Sequence, residues 1–197
     1  MIKIGILGDI GSGKSYVAFS FGYPVFNADK EVSKLYKADK KIFNKLKRVL
    51  PNFFPKFPIK KNQVSNAILD KKQNLKKIVK IIHKEIRKKL RIFLKKNANK
   101  KIVILDIPLL LENKMNNKTY ILIFVQSKKN EIQKRLKKRK NFNQNILKKF
   151  KKIQLPLDYK KKKSNFIIKN DFNKTTVKKY VRDITKQILN ERNRIRH

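Results

Sequence analysis

Residues 8–15 read Gly8-Asp9-Ile10-Gly11-Ser12-Gly13-Lys14-Ser15 and fill every position of the pattern G-x-x-x-x-G-K-[S/T]. The chain has five glycines, at positions 5, 8, 11, 13 and 22, and four of them fall between residues 5 and 13. The stretch is entered from Ile2–Leu7, an apolar run that reads as a short buried strand. It leads into a helical segment from about Gly13 to Phe21, stopped by Gly22-Tyr23-Pro24. A loop that turns backbone N–H groups toward phosphate oxygens needs conformations that a side chain obstructs, and the following helix adds the partial positive charge of its N-terminus. Lys14 is expected to reach the β- and γ-phosphates of a nucleoside triphosphate, and the Ser15 hydroxyl to ligate Mg2+.

Outward from this loop, strand and helix patterns alternate. Pro24-Val25-Phe26 reads as a second short strand, ending at Asn27-Ala28-Asp29, where a side-chain oxygen can cap the helix carrying Val32 and Leu35. A further helix spans about Ala38 to Leu50. The segment 51–58 reads as a loop because it holds three prolines. Leu75, Ile78, Val79, Ile82, Ile86, Leu90, Phe93 and Leu94 follow helical spacing over one long amphipathic segment. Ile102–Leu105 and Tyr120–Val125 are continuous apolar runs, as in strands covered on both faces, and Phe166–Ile168 is a shorter candidate. Helical stretches are expected around 128–139, 143–153 and 173–191. The alternation predicts a parallel sheet with helices on both faces, a three-layer α/β fold of the P-loop NTPase kind.

The chain carries 54 Lys+Arg against 13 Asp+Glu, a formal net charge of +41. Such a charge attracts polyanions. Only nine of the basic residues are arginine, however, while Lys, Asn, Ile and Phe are abundant throughout, which favours lysine spread over every solvated face above a dedicated nucleic-acid surface. No specific nucleic-acid partner is expected. The absence of cysteine excludes disulfides, zinc–thiolate sites and thiol nucleophiles, and suits a reducing cytoplasm. No apolar run reaches membrane-spanning length, so no membrane partner is expected.

A phosphate-binding loop specifies a nucleotide, and the acceptor group must be sought elsewhere. Ligands of open α/β sheets sit at the carboxyl ends of the strands. Asp29 follows the second strand and Asp106 closes the third, with Glu112 shortly after. Asp106 is placed to hold Mg2+ through water, and Asp29 to act as a base or as a helix cap. In a chain whose default cation is lysine, Arg135 and Arg139 stand out. They are four residues apart, hence on one face of a helix, and their planar forks grip phosphate or stack on a base as lysine cannot.

Taken together, GDIGSGKS, Val25-Phe26-Asn27-Ala28-Asp29, Leu105-Asp106-Ile107-Pro108-Leu109-Leu110-Leu111-Glu112, Gln133-Lys134-Arg135-Leu136 with Arg139, and Phe166-Ile167-Ile168-Lys169-Asn170 resemble the dephospho-CoA kinase family over essentially the whole chain. The resemblance implies transfer of the γ-phosphoryl of ATP to the ribose 3′-hydroxyl of dephospho-CoA, giving coenzyme A and ADP, with Mg2+ as cofactor. It implies a single kinase domain with a helical CoA-binding region at 30–98 and a lid at 127–160, working as a monomer or weak homo-oligomer. Asp29 maps to the proposed base, with Lys14 and Arg139 beside it as catalytic residues. Gly11, Ser12, Gly13, Lys14, Ser15, Tyr16, Arg135 and Arg139 map to ATP, and Asp29, His83, Asp106, Leu109 and Glu112 to the acceptor.

The chain departs from the family pattern at several points. Asn27 stands for a usual Asp, Asp9 for a glycine, Tyr16 for a threonine, Lys84 for the proline after His83, and Asn165 for an Asp. The Asp9 carboxylate is expected to point away from the phosphates. Two other functions fit the motif alone. One is another small-molecule P-loop kinase, distinguished by its acceptor; the other is an ATP-regulated nucleic-acid binder, distinguished by a contiguous basic face.

Overall fold

The computed structural model describes residues 1–139 and 142–194. Its strands are β1 Ile2–Gly8, β2 Val25–Asn27, β3 Ile102–Asp106, β4 Ile121–Gln126 and β5 Phe166–Lys169, in the spatial order β2-β3-β1-β4-β5. β1 is parallel to both β3 and β4, and β4 to β5. Gly8 lies opposite Val125 and Val125 opposite Ile168, so β1, β4 and β5 end together. The chain beyond β5 continues the ladder, with the Asn170 N–H donating to the Gln126 carbonyl at 2.8 Å. The parallel three-layer α/β fold expected from the alternating pattern is the one observed.

The chain divides into two compact units. The sheet unit comprises Met1–Phe26, Asn97–Phe142 and Leu155–His197. On one face of its sheet Ile2, Ile4, Ile6, Ile102, Ile104, Ile123, Val125 and Ile168 pack against α1 Lys14–Ser20 and α9 Lys174–Arg194, the latter through Val177, Val181, Ile184 and Ile188. That spacing is one stripe of a helix. On the other face Leu110 and Leu122 close over Gly5, where an added Cβ would stand 2.6 Å from Leu110 Cδ2. This unit also contains α6 Lys129–Lys137 and the short α8 Leu157–Lys162.

The helical unit comprises Asn27–Lys96 and Asn143–Gln154. It holds α2 Ala28–Ala38, α3 Lys40–Val49, a 3₁₀ turn Pro51–Phe53, α4 Lys61–Asp70, α5 Lys72–Lys96 and α7 Gln144–Ile153. Asn27 Oδ1 caps α2 by accepting the Lys30 N–H at 2.8 Å, and Asp39 Oδ1 caps α3 from Ile42 at 3.0 Å. α5 buries Leu75, Ile78, Ile82, Ile86 and Leu90, the stripe read from the sequence. α7 is tied to α4 by Lys149, whose Nζ donates to the carbonyls of Ile68 and Leu69 at 2.5 and 2.8 Å and satisfies the orphan acceptors of that helix end. The predicted lid segment 127–160 thus contributes α6 and α8 to the sheet unit and α7 to the helical one; its residues 140 and 141 lie outside the described residues.

Three elements differ from the sequence expectation. The six-residue α8 forms where no helix is expected, because LDYKKK is too short and lysine-rich to show an apolar stripe. α4 lies where no helix is expected, because its buried apolar side is only Ala67 and Ile68. The proline-rich loop is not purely a surface connection, since Phe54 within it is fully buried. Among the described residues no helix is long and apolar enough to cross a membrane.

Candidate active site

The loop from Gly8 to Lys14 joins the central strand to α1, as its sequence requires. Gly11 and Gly13 have φ of 89° and 88°, the left-handed region in which a side chain is strained. Each glycine also leaves room for a neighbour. A Cβ on Gly11 would stand 3.1 Å or less from Ile132 and Leu136, the two buried apolar residues of α6, so the bare backbone lets α6 lie directly on the loop. A Cβ on Gly13 would collide with the Asn170 side-chain amide.

The peptide between Ser12 and Gly13 is held from behind. The Ser12 carbonyl accepts from Ser127 Oγ at 3.0 Å and from Asn170 Nδ2 at 2.8 Å. Both donors come from the chain just past strands that end level with β1. Because C=O and N–H point oppositely across a trans peptide, two donors on this carbonyl turn the Gly13 N–H the other way. Asn170 is 3% exposed, and its Oδ1 is used as well, accepting the Phe172 N–H at 2.9 Å.

Lys14 is folded onto the loop, its Nζ donating to the carbonyls of Asp9 at 2.6 Å and Gly8 at 3.3 Å. The ammonium therefore already sits over the turn that its sequence position assigns to it. The Asp9 carboxylate accepts the N–H of Ile10 at 2.7 Å, a local turn contact. Ser15 and Tyr16 lie exposed in the first turn of α1, and Asp106 ends β3 at 3% exposure. Ser15 and Asp106 offer hydroxyl and carboxylate oxygen, the donor chemistry Mg2+ prefers. Among the described residues there is no cluster of three or more His, Cys, Asp or Glu able to hold a metal. An ion here would thus take most of its ligands from phosphate and water.

The two arginines differ from expectation in one respect. Arg135 lies on α6, exposed, with its guanidinium carbon 4.3 Å from the centre of the Phe172 ring. α6 ends at Lys137, the Lys138 N–H makes its last helical bond to the Lys134 carbonyl at 3.4 Å, and Arg139 sits in the following turn, its N–H donating to the Leu136 carbonyl at 3.1 Å. The pair does not share a helical face.

After β3, Leu109 is buried and its carbonyl accepts from Asn113 Nδ2 at 2.8 Å. Glu112 is half-buried, with its side chain 8% exposed. Its Oε1 accepts Lys160 Nζ at 2.6 Å and the Leu155 N–H at 3.0 Å, while Oε2 is buried without a hydrogen-bond partner. Glu112 thus holds α8 and the point where the chain re-enters the sheet unit. Asp29 and His83 belong to the helical unit, Asp29 exposed in the first turn of α2 and His83 half-buried on α5.

Sequence reasoning singled out neither Ser127, Phe172 nor Lys160 as site or supporting residues. Asn170 was visible only as part of a motif. No spacing rule picks out one serine or one lysine in so basic a chain.

A phosphate-cradling loop between the central strand and first helix of a parallel sheet defines a P-loop nucleotide-binding protein. The family model for dephospho-CoA kinase matches residues 2–176. A dephospho-CoA kinase of Wolbachia sp. subsp. Brugia malayi is 34% identical over 186 residues, covering 92% of this chain and 95% of that protein. The dephospho-CoA kinase of Wolbachia pipientis wMel is 33% identical with the same coverage. Among solved structures, the TT1252 protein of Thermus thermophilus superposes with a TM-score of 0.73 at 25% identity, covering 96% of this chain and 97% of that one. Dephospho-CoA kinase from Campylobacter jejuni shares the fold, with a TM-score of 0.60 over 94% of this chain and 96% of that one at 22% identity. The chain belongs to the dephospho-CoA kinase family, kinases that phosphorylate dephospho-CoA with ATP to give coenzyme A.

Proposed function

We propose that the chain transfers the γ-phosphoryl of ATP to the ribose 3′-hydroxyl of dephospho-CoA through the residues read from its sequence. Family membership supports the reaction, and the doubly held Ser12 carbonyl supports the site. A loop whose N–H groups are oriented before nucleotide arrives loses little freedom on binding it, which is the condition for electrostatic stabilisation of a phosphoryl in transit.

In this reading residues 10–15 hold the phosphates, with Lys14 exchanging its contacts to the Gly8 and Asp9 carbonyls for the β- and γ-phosphate oxygens. Gly11, Ser12 and Gly13 supply backbone N–H groups, and Tyr16, Arg135 and Arg139 flank the nucleotide. Ser15 directly, and Asp106 through water, would hold Mg2+, which when bound neutralises developing charge on the phosphate oxygens. Asp29 orients the acceptor hydroxyl and takes its proton late in transfer. The helical region 30–98 carries the CoA moiety, with His83 as a contact, and 127–160 serves as the lid. Leu109 and Glu112 serve the acceptor side by shaping the segment after β3, Leu109 by being buried and Glu112 by holding Leu155 and Lys160. The protein works in the cytoplasm as a monomer or weak homo-oligomer and needs no nucleic acid; its lysines are spread over α2, α5, α6, α7 and α9.

Replacing Asp29 tests the chemistry. Asp29→Asn keeps size and hydrogen bonding but removes the base, so kcat for dephospho-CoA should fall about 10²-fold or more with KM for ATP little changed. A variant retaining near-native kcat would remove Asp29 from the mechanism.

A further inference from the structure

Phe172 lies in the turn after β5 and has φ of 65°, a left-handed conformation that strains a residue with a β-carbon. Asn170 holds it there, Oδ1 accepting the Phe172 N–H while Nδ2 donates to the Ser12 carbonyl. The turn directs the ring toward the phosphate loop, with Phe172 Cε1 3.4 Å from the place a Cβ on Gly13 would occupy. The Arg135 guanidinium rests over the same ring at 4.3 Å. Glycine would suit this backbone better, and the ring is what glycine lacks.

An exposed arginine has several free torsions, and it surrenders that freedom when it grips a ligand. One already lying on an aromatic face has surrendered part of it in advance. The rest of α6 is fixed on the loop through Ile132 and Leu136 but leaves the long Arg135 side chain exposed. We propose that Phe172 is a positioning residue for ATP binding: its ring holds the Arg135 guanidinium beside the phosphate loop, and Asn170 couples that platform to the Ser12–Gly13 peptide. The proposal rests on Arg135 contacting ATP, as in the reading above.

The experiment compares Phe172→Gly, Phe172→Tyr, Arg135→Ala and the Phe172→Gly/Arg135→Ala pair by KM for ATP, kcat and Tm. Phe172→Gly should raise KM for ATP about 3–10-fold with kcat within about twofold. Phe172→Tyr, which keeps the aromatic face, should stay within about twofold of wild type. In the Arg135→Ala background, Phe172→Gly should change KM by less than about twofold, because the residue it acts through is gone. An unchanged KM in Phe172→Gly, beside a raised one in Arg135→Ala, overturns the proposal and leaves the ATP role of Arg135 intact. An equal rise in both backgrounds also overturns it, assigning the ring to packing on Gly13. An Arg135→Ala enzyme with native KM removes Arg135 from the nucleotide site and the proposal with it. Should Phe172→Gly fail to fold, Phe172→Leu carries the same expectations.

Discussion

Replacing Lys160 by methionine should unfold the protein far more readily than its place in a lysine-rich segment suggests. Lys160 and Glu112 are 1% and 8% exposed, with 2.6 Å between Nζ and Oε1. At an effective dielectric of 20, charges at that separation attract by about 6 kcal/mol. Lost hydration of both groups offsets much of this, so the pair as a whole contributes little net stability. Removing one partner is different, because it strands a buried charge at a cost of about 3–5 kcal/mol. In Lys160→Met the carboxylate keeps only the Leu155 N–H, and its Oε2 has no partner to begin with. For a chain of this size each kcal/mol moves Tm by about 2–4 °C, so Tm should fall by about 6–20 °C. Glu112→Gln/Lys160→Met keeps an acceptor for Leu155 and strands no charge, and should return to within about 2 kcal/mol of wild type. Thermal and urea unfolding followed by circular dichroism measure both variants. A loss below about 1 kcal/mol in Lys160→Met, or a double variant no better than the single one, would refute the reasoning.

Two further predictions test the loop and its supports. Gly13→Ala forces a side chain into φ of 88° and against the Asn170 amide, so it should lower Tm by a few degrees and raise KM for ATP about tenfold or more. Gly22→Ala, at φ of 70° with open space around it, should lower Tm alone, which separates backbone strain from damage to the site in paired kinetic and melting measurements. Asp171 lies in the turn before α9: its carboxylate accepts the Asn173 N–H and the Thr176 hydroxyl, and the Asn173 hydrogen bond leads in holding its pKa below the usual aspartate value. A depressed folded pKa means stability that is present above the unfolded pKa and lost as pH falls through the folded one. The Tm advantage of wild type over Asp171→Asn should therefore be full at pH 6 and shrink below about pH 3.9, and a pH-independent difference would contradict it.

The loop was legible because glycine is so scarce here that four of five in one stretch leave a single physical explanation. Strands β3 and β4 were legible as unbroken apolar runs, and α5 as a long stripe. α4 was not, since a helix that buries only Ala67 and Ile68 leaves no periodic signal. The end of α6 leaves no local signal either: Lys137-Lys138-Arg139 contains neither glycine nor proline to mark a stop, and Arg139, expected on the helix, stands just beyond it. Lys160 looks like its neighbours in sequence, and only tertiary packing separates a buried lysine from solvated ones. Phe172 was hidden because nothing local signals positive φ at a phenylalanine; the turn is imposed by Asn170, which is itself fixed by the distant Ser12. The sequence carries the phosphate-loop motif and the strand pattern well, and the side chains that brace the loop from behind poorly.

The most direct measurement gives the purified protein ATP and Mg2+ with an equimolar mixture of dephospho-CoA, a nucleoside, a nucleoside monophosphate and shikimate, then identifies each product by mass and the phosphorylated position by NMR. The account predicts coenzyme A as the dominant product, phosphorylated on the ribose 3′-oxygen, with one ADP formed per molecule. Preferential phosphorylation of any other acceptor, or ATP hydrolysis with dephospho-CoA left unchanged, would contradict it.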